Sequence, residues 1–115
     1  MPNSFKDENR VYLSGRLTQD TSLKYTKTKI PVLRFTLAVN TYVKDKKETL
    51  FIPIVVYGDL ALEIASFVKQ GTPVKIEGRL VNRVIEIDGE KHKFIEVIAH
   101  KVEIYTKDSS VNQQK

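Results

Sequence analysis

Phe51 and Tyr57 stand on the side of an alternating apolar stretch that faces away from its expected core residues. Over residues 50–57, Leu50, Ile52, Ile54 and Val56 share one face, and Phe51, Pro53, Val55 and Tyr57 the other. Apolar rings gain nothing in water, so this placement needs a reason. The neighbouring alternating stretches put cations on the equivalent side. Arg34 and Tyr42 fall there in one strand, and Lys75, Arg79, Arg83 and Ile85 in another. Lys46 and Lys47 sit at a charged tip between strands. Cations follow phosphates, and flat rings accept bases without reading sequence, at roughly 1–3 kcal/mol per stacked base. Such a surface suits a single-stranded nucleic acid. At ~3.3 Å per residue, Phe51 and Tyr57 lie roughly 20 Å apart along a strand and would serve different nucleotides. Alternation alone leaves a second role open, burial of both rings in a subunit interface or under a loop.

Other chemistry is sparse. His92 and His100 are the only histidines and cysteine is absent. No H-x-x-x-H or H-E-x-x-H spacing occurs, so no metal site is expected. His100 falls in an alternating strand and reads as a surface or interface residue. P-loop, G-x-S-x-G and G-x-G-x-x-G patterns are missing. The carboxylates are scattered among basic residues, and nothing nominates a general acid/base pair. Neither a cofactor nor an enzymatic reaction is expected.

At 115 residues the chain is long enough for one domain with a modest core. Its net charge of +5 permits a polyanionic partner but also fits simple solubility. The lack of cysteine suits a reducing compartment. No apolar run approaches the ~18 residues of a membrane span, and MPNSFKDENR has no apolar segment of a signal peptide, so a cytoplasmic location is expected.

The chain is organised around residues 50–80, which read as strand, short helix, glycine turn and strand. Asp59 is a candidate N-cap, and Leu60, Ile64, Phe67 and Val68 form one buried stripe. Gly71 is expected to stop the helix. Val74, Ile76, Gly78 and Leu80 then alternate against Lys75, Glu77, Arg79 and Val81. Upstream, residues 9–18 form a first strand whose Gly15 marks a bulge or bend. Residues 21–26 allow a short return strand, and residues 27–31, with Lys27 and Lys29, a turn. Residues 32–43 form the second long strand, with Leu33, Phe35, Leu37 and Val39 inward. KDKKE at 44–48 is a charged turn. Residues 82–104 read as a hairpin about Asp88-Gly89, a strong two-residue turn signal. One helix between the third and fourth of five strands predicts an all-β OB-fold, a five-stranded Greek-key barrel. A flexible N-terminus at 1–8 and a disordered polar tail at 107–115 flank a domain at 9–106.

These pieces resemble the bacterial single-stranded DNA-binding proteins. The resemblance runs from about Asn9 to Ile104, through NRVYLSGRLTQD, LKYT, FTLAVN, YGDLA, FVKQGTPVKIEGRL, the DG turn and EVIAHKVEIY. It implies sequence-independent binding of single-stranded DNA in replication, recombination and repair, without enzymatic activity. It also implies a homotetramer, commonly a dimer of dimers. Of about four aromatic base-stacking positions in the family, Phe51 and Tyr57 match two. The other two fall at Val43 and Ile85, where the rings are gone. Tyr42 would replace the ring at Val43 only through a one-residue strand shift. Arg10, Lys46, Lys69 and Arg83 fall at family cation positions. Asp59, Gln70 and Val84 replace common lysines, and Pro53 a polar or basic residue.

The resemblance further implies a Gly/Gln-rich linker and an acidic tip ending in Phe that recruits partner proteins. This sequence closes on VNQQK. Two readings stay open, a longer protein whose tail is not in this sequence, or a member that does not recruit replication and repair proteins by that route. The missing rings and tip also motivate an alternative, a short OB-fold paralogue resembling primosomal replication protein N. It would act as a dimer and mainly as a protein-interaction module, with weak single-strand binding.

Overall fold

A computed structural model describes residues 4–105 and 110–111. Its elements are β1 (Val11–Leu17), β2 (Lys24–Tyr25), β3 (Pro31–Val43), β4 (Lys46–Tyr57), α1 (Asp59–Ile64), β5 (Pro73–Ile87), β6 (Glu90–Tyr105) and β7 (Ser110–Val111). The strands join in the order β1-β5-β6-β4-β3, and a β1–β3 pairing closes the ring. All these contacts are antiparallel except β4–β6, where Ile54 and Val55 meet Val97 and Ile98 in parallel. The result is a five-stranded barrel of OB type. The two-residue β2 flanks β3, and β7 pairs with the end of β6. The remainder of the expected disordered tail, 107–109 and 112–115, lies outside the described residues.

Closure depends on Gly15. β1 pairs with β5 from Val11 to Arg16, and its end, Arg16 and Leu17, pairs with Ala38 and Leu37 of β3. Where the strand passes between these partners, a Cβ on Gly15 would collide with the Ala38 carbonyl oxygen. The bend expected at Gly15 is thus a close backbone approach that only glycine permits.

The core comes from the strand faces that alternation assigns. Leu33, Phe35, Leu37 and Val39 of β3 are buried, with Ile54 and Val56 of β4, Val74 and Ile76 of β5, and Val97, Ala99, Val102 and Ile104 of β6. On the strand faces expected to be core, two residues are exposed. Leu50 is 52% exposed and Leu80 is 43% exposed. Both keep the correct side of their strand, but Leu50 sits where β3–β4 has run past β6 as a two-stranded hairpin, and Leu80 lies beyond Val11–Gly78, the last pair of β1 with β5.

The helix caps one side of the barrel and is shorter than its stripe predicts. Gly58, not Asp59, is the N-cap, without a side-chain cap hydrogen bond, and Asp59 is the first helical residue. Ala61 and Ile64 are buried. The helix ends at Ile64, where the Phe67 N–H bonds back to the Ile64 carbonyl at 2.8 Å. This tighter turn breaks the 3.6-residue period. Val68 stays buried, but Phe67 turns outward. Gly71, at φ +84°, therefore serves the turn into β5 and not the helix end; its N–H bonds to the Leu17 carbonyl at 2.8 Å.

Candidate nucleic-acid interface

Two tight turns fix which side chains share a face. Lys44 and Asp45 both take positive φ, 51° and 69°, and Val43 pairs with Lys46 across them. Such a two-residue loop twists as its strands do. Of the expected KDKKE turn, only Lys44 and Asp45 are loop, and Lys46, Lys47 and Glu48 are already strand. Paired residues lie on one side of a sheet. The pairs Tyr42–Lys47, Asn40–Thr49, Ala38–Phe51, Thr36–Pro53, Arg34–Val55 and Val32–Tyr57 therefore form one outer face. Tyr42, Phe51 and Tyr57 are all on it and all exposed, at 69%, 65% and 40%. Tyr42 reaches this face with no strand shift. Val43 and Lys46 lie on the opposite side of the hairpin, so Lys46 does not join the rings.

The second turn, Asp88-Gly89, has φ values of 52° and 82°, as expected for a primed two-residue turn. From it, Ile85 pairs with His92, Arg83 with Phe94, Val81 with Glu96 and Arg79 with Ile98. The two faces are one surface. Arg34 pairs with Val55, Val55 with Ile98, and Ile98 with Arg79, a row crossing β3, β4, β6 and β5. At ~4.8 Å between strands its ends are roughly 14 Å apart. One step beyond the Val11–Gly78 pair, the register sets exposed Arg10 beside Arg79. There the Asn9 side chain donates to the Leu80 carbonyl and accepts from its N–H, both at 2.8 Å.

Lys75 does not belong to this row. It pairs with Ser14 on one side and Glu103 on the other. Between it and Arg79, the β5–β6 register shifts at Glu77/Gly78, and His100 is left without a partner. Around Lys75 the charges alternate, and Lys101 meets Glu77 at 3.9 Å. The structure thus gathers Arg10, Arg34, Tyr42, Lys47, Phe51, Tyr57, Arg79, Arg83 and Ile85 on one surface. Lys46 and Lys75 lie elsewhere.

Alternation in the sequence does not single out Glu96, Phe94 or their contacts. Glu96 is 5% exposed and sits on this outer face between the arginines. Arg34 Nη1 donates to both its carboxylate oxygens, at 3.1 and 2.8 Å. Arg34 Nη2 donates to the Tyr57 hydroxyl at 3.3 Å. Arg83 Nη1 lies 3.7 Å from Glu96 Oε2, and its guanidinium carbon 6.0 Å from the Phe94 ring centre. Counting across Asp88-Gly89 places Phe94 opposite Arg83 and Glu96 opposite Val81, but it does not give the Arg34–Glu96 contact. Among the described residues, no group of three or more His, Cys, Asp and Glu is placed to hold a metal ion, and no helix is long and apolar enough to cross a membrane.

Comparison with known proteins agrees with this geometry. The family model described as the single-strand binding protein family matches residues 8–105. A "Single-stranded DNA-binding protein 2" of Listeria monocytogenes is 40% identical over 99 residues, covering 83% of this chain and 62% of that protein. A "Single-stranded DNA-binding protein" of Caldanaerobacter subterraneus is 42% identical over 98 residues, covering 82% and 65%. Its namesake in Bacillus cereus is 35% identical over 111 residues, covering 93% and 65%. The chain thus spans a little under two thirds of these relatives' lengths. With the barrel, the closing β1–β3 contact and a match over nearly all described residues, the chain belongs to the single-strand binding protein family.

Proposed function

We propose that this protein binds single-stranded DNA without sequence preference, in the cytoplasm, and protects it during replication, recombination and repair. The observation that carries this reading is the continuous outer face, where Tyr42, Phe51 and Tyr57 are exposed among Arg10, Arg34, Lys47, Arg79 and Arg83. Rings spaced along one strand pair give successive bases a surface to stack on, and the cations not committed to a carboxylate follow the backbone. Membership of the family and the names of the relatives support the same ligand.

Binding of this kind releases counterions, so it weakens steeply as salt rises. The test is a fluorescence-anisotropy titration of labelled oligo-dT at two salt concentrations, with duplex DNA as competitor. Tight binding that falls with salt and resists the duplex is the expected result. Weak binding, or equal competition by the duplex, would overturn the proposal.

A further inference from the structure

Two arginines share one buried carboxylate on this face, and they do not share it equally. Arg34 holds both oxygens of Glu96 at 2.8 and 3.1 Å, while Arg83 stands at 3.7 Å from one of them. A carboxylate as buried as Glu96 cannot be left without a cation, because the desolvated charge then has nothing to offset it. A phosphate drawing Arg34 away would impose most of that cost, because it breaks both hydrogen bonds to the carboxylate and leaves it only Arg83, at 3.7 Å. A phosphate drawing Arg83 away would not, because Arg34 remains on Glu96.

Resting on the proposed single-strand binding, we infer that Glu96 is a positioning residue that withholds Arg34 from the DNA backbone. The Arg34–Glu96 pair is electrostatically silent toward phosphate, and Arg34 instead orients the Tyr57 ring through its second nitrogen. Arg83 is the one cation of the cluster that neutralises a phosphate. Glu96 thereby sets how many phosphates the pair of arginines takes, one and not two.

The dependence of log affinity on log salt tests this, because each phosphate contact on a single strand contributes about 0.7 to the slope. Wild type and variants are titrated with labelled oligo-dT over a series of salt concentrations. Glu96→Gln keeps an oxygen for Arg34 but removes the charge, and its slope is expected to steepen by about 0.7. Arg83→Gln should make the slope shallower by about the same amount. The double variant Arg34→Gln/Glu96→Gln removes the silent pair. Its slope should equal that of wild type, though affinity falls because Tyr57 loses its partner. Should Glu96→Gln alone fail to fold, the double variant still decides, since it leaves no buried charge unpaired. A double-variant slope shallower by about 0.7 would mean Arg34 contacts phosphate itself, and an unchanged slope in folded Glu96→Gln would mean that no cation was withheld; either overturns the inference. If wild type does not bind oligo-dT, the proposed function fails with it. If wild type binds but the slopes disagree, this inference alone fails.

Discussion

The Phe51 ring is 65% exposed and pairs across the sheet with Ala38, so it packs into nothing the barrel needs. Its removal separates binding from folding. Phe51→Ala is expected to weaken oligo-dT binding by about 1–3 kcal/mol, with an unchanged urea-denaturation midpoint. Unchanged affinity would remove the stacking role from this ring. At this scale, sequence alternation found the rings and most of the cations, because it asks only which side a residue faces. It could not give the importance of Glu96, which comes from Arg34, 62 positions away in the chain. Phe94 was within reach, since the Asp88-Gly89 turn dictates that it stands opposite Arg83. Lys75 shows the converse limit. It has the same parity as Arg79 along β5, but the register shift between them hands each a different neighbourhood.

At the scale of elements, two glycines carry different burdens. The Cβ of an alanine at Gly89 would meet open space, so Gly89→Ala bears only the cost of a positive φ, about 1–2 kcal/mol. An alanine at Gly15 would press on the Ala38 carbonyl, a main-chain atom that cannot rotate aside. Gly15→Ala must shift β1 against β3 and is expected to cost at least as much as ordinary overpacking, about 1–3 kcal/mol, and to lower the melting temperature more than Gly89→Ala. Equal melting temperatures for the two variants would refute this account of barrel closure. The strand order and the single helix were legible in the sequence, because long periodic segments state their type plainly. The helix end was not. Phe67 fits a helical stripe by spacing, and only the turn after Ile64 removes it. Leu50 and Leu80 fit a core stripe equally well, and their exposure depends on where the opposite wall of the barrel stops.

The whole molecule is more extended than its length requires. Its radius of gyration is 16.1 Å, against about 13 Å for a compact 100-residue domain. The two hairpins carry Leu50, Val84 and Ile95 into the open. The edge of β1 that faces away from β5 also has no partner strand from Val11 to Gly15 among the described residues. We propose that further copies of the chain cover these features in the homotetramer that the family resemblance implies. Light scattering on the eluted protein should give four copies of the 13.2 kDa chain, and a dimer mass would refute it. The hairpins also impose a difference in timescale within one fold. Amides of the barrel rows are released to solvent only when the whole domain opens, whereas those near Asp45 and Gly89 need only the fraying of two strands. Hydrogen exchange should therefore be fast at the tips and slow in the rows of the free protein. If the outer face is where the strand lies, oligo-dT should slow exchange along the two hairpins first. The arms would then lose their motion on binding, and the ordering of the arms would set how long each strand stays held.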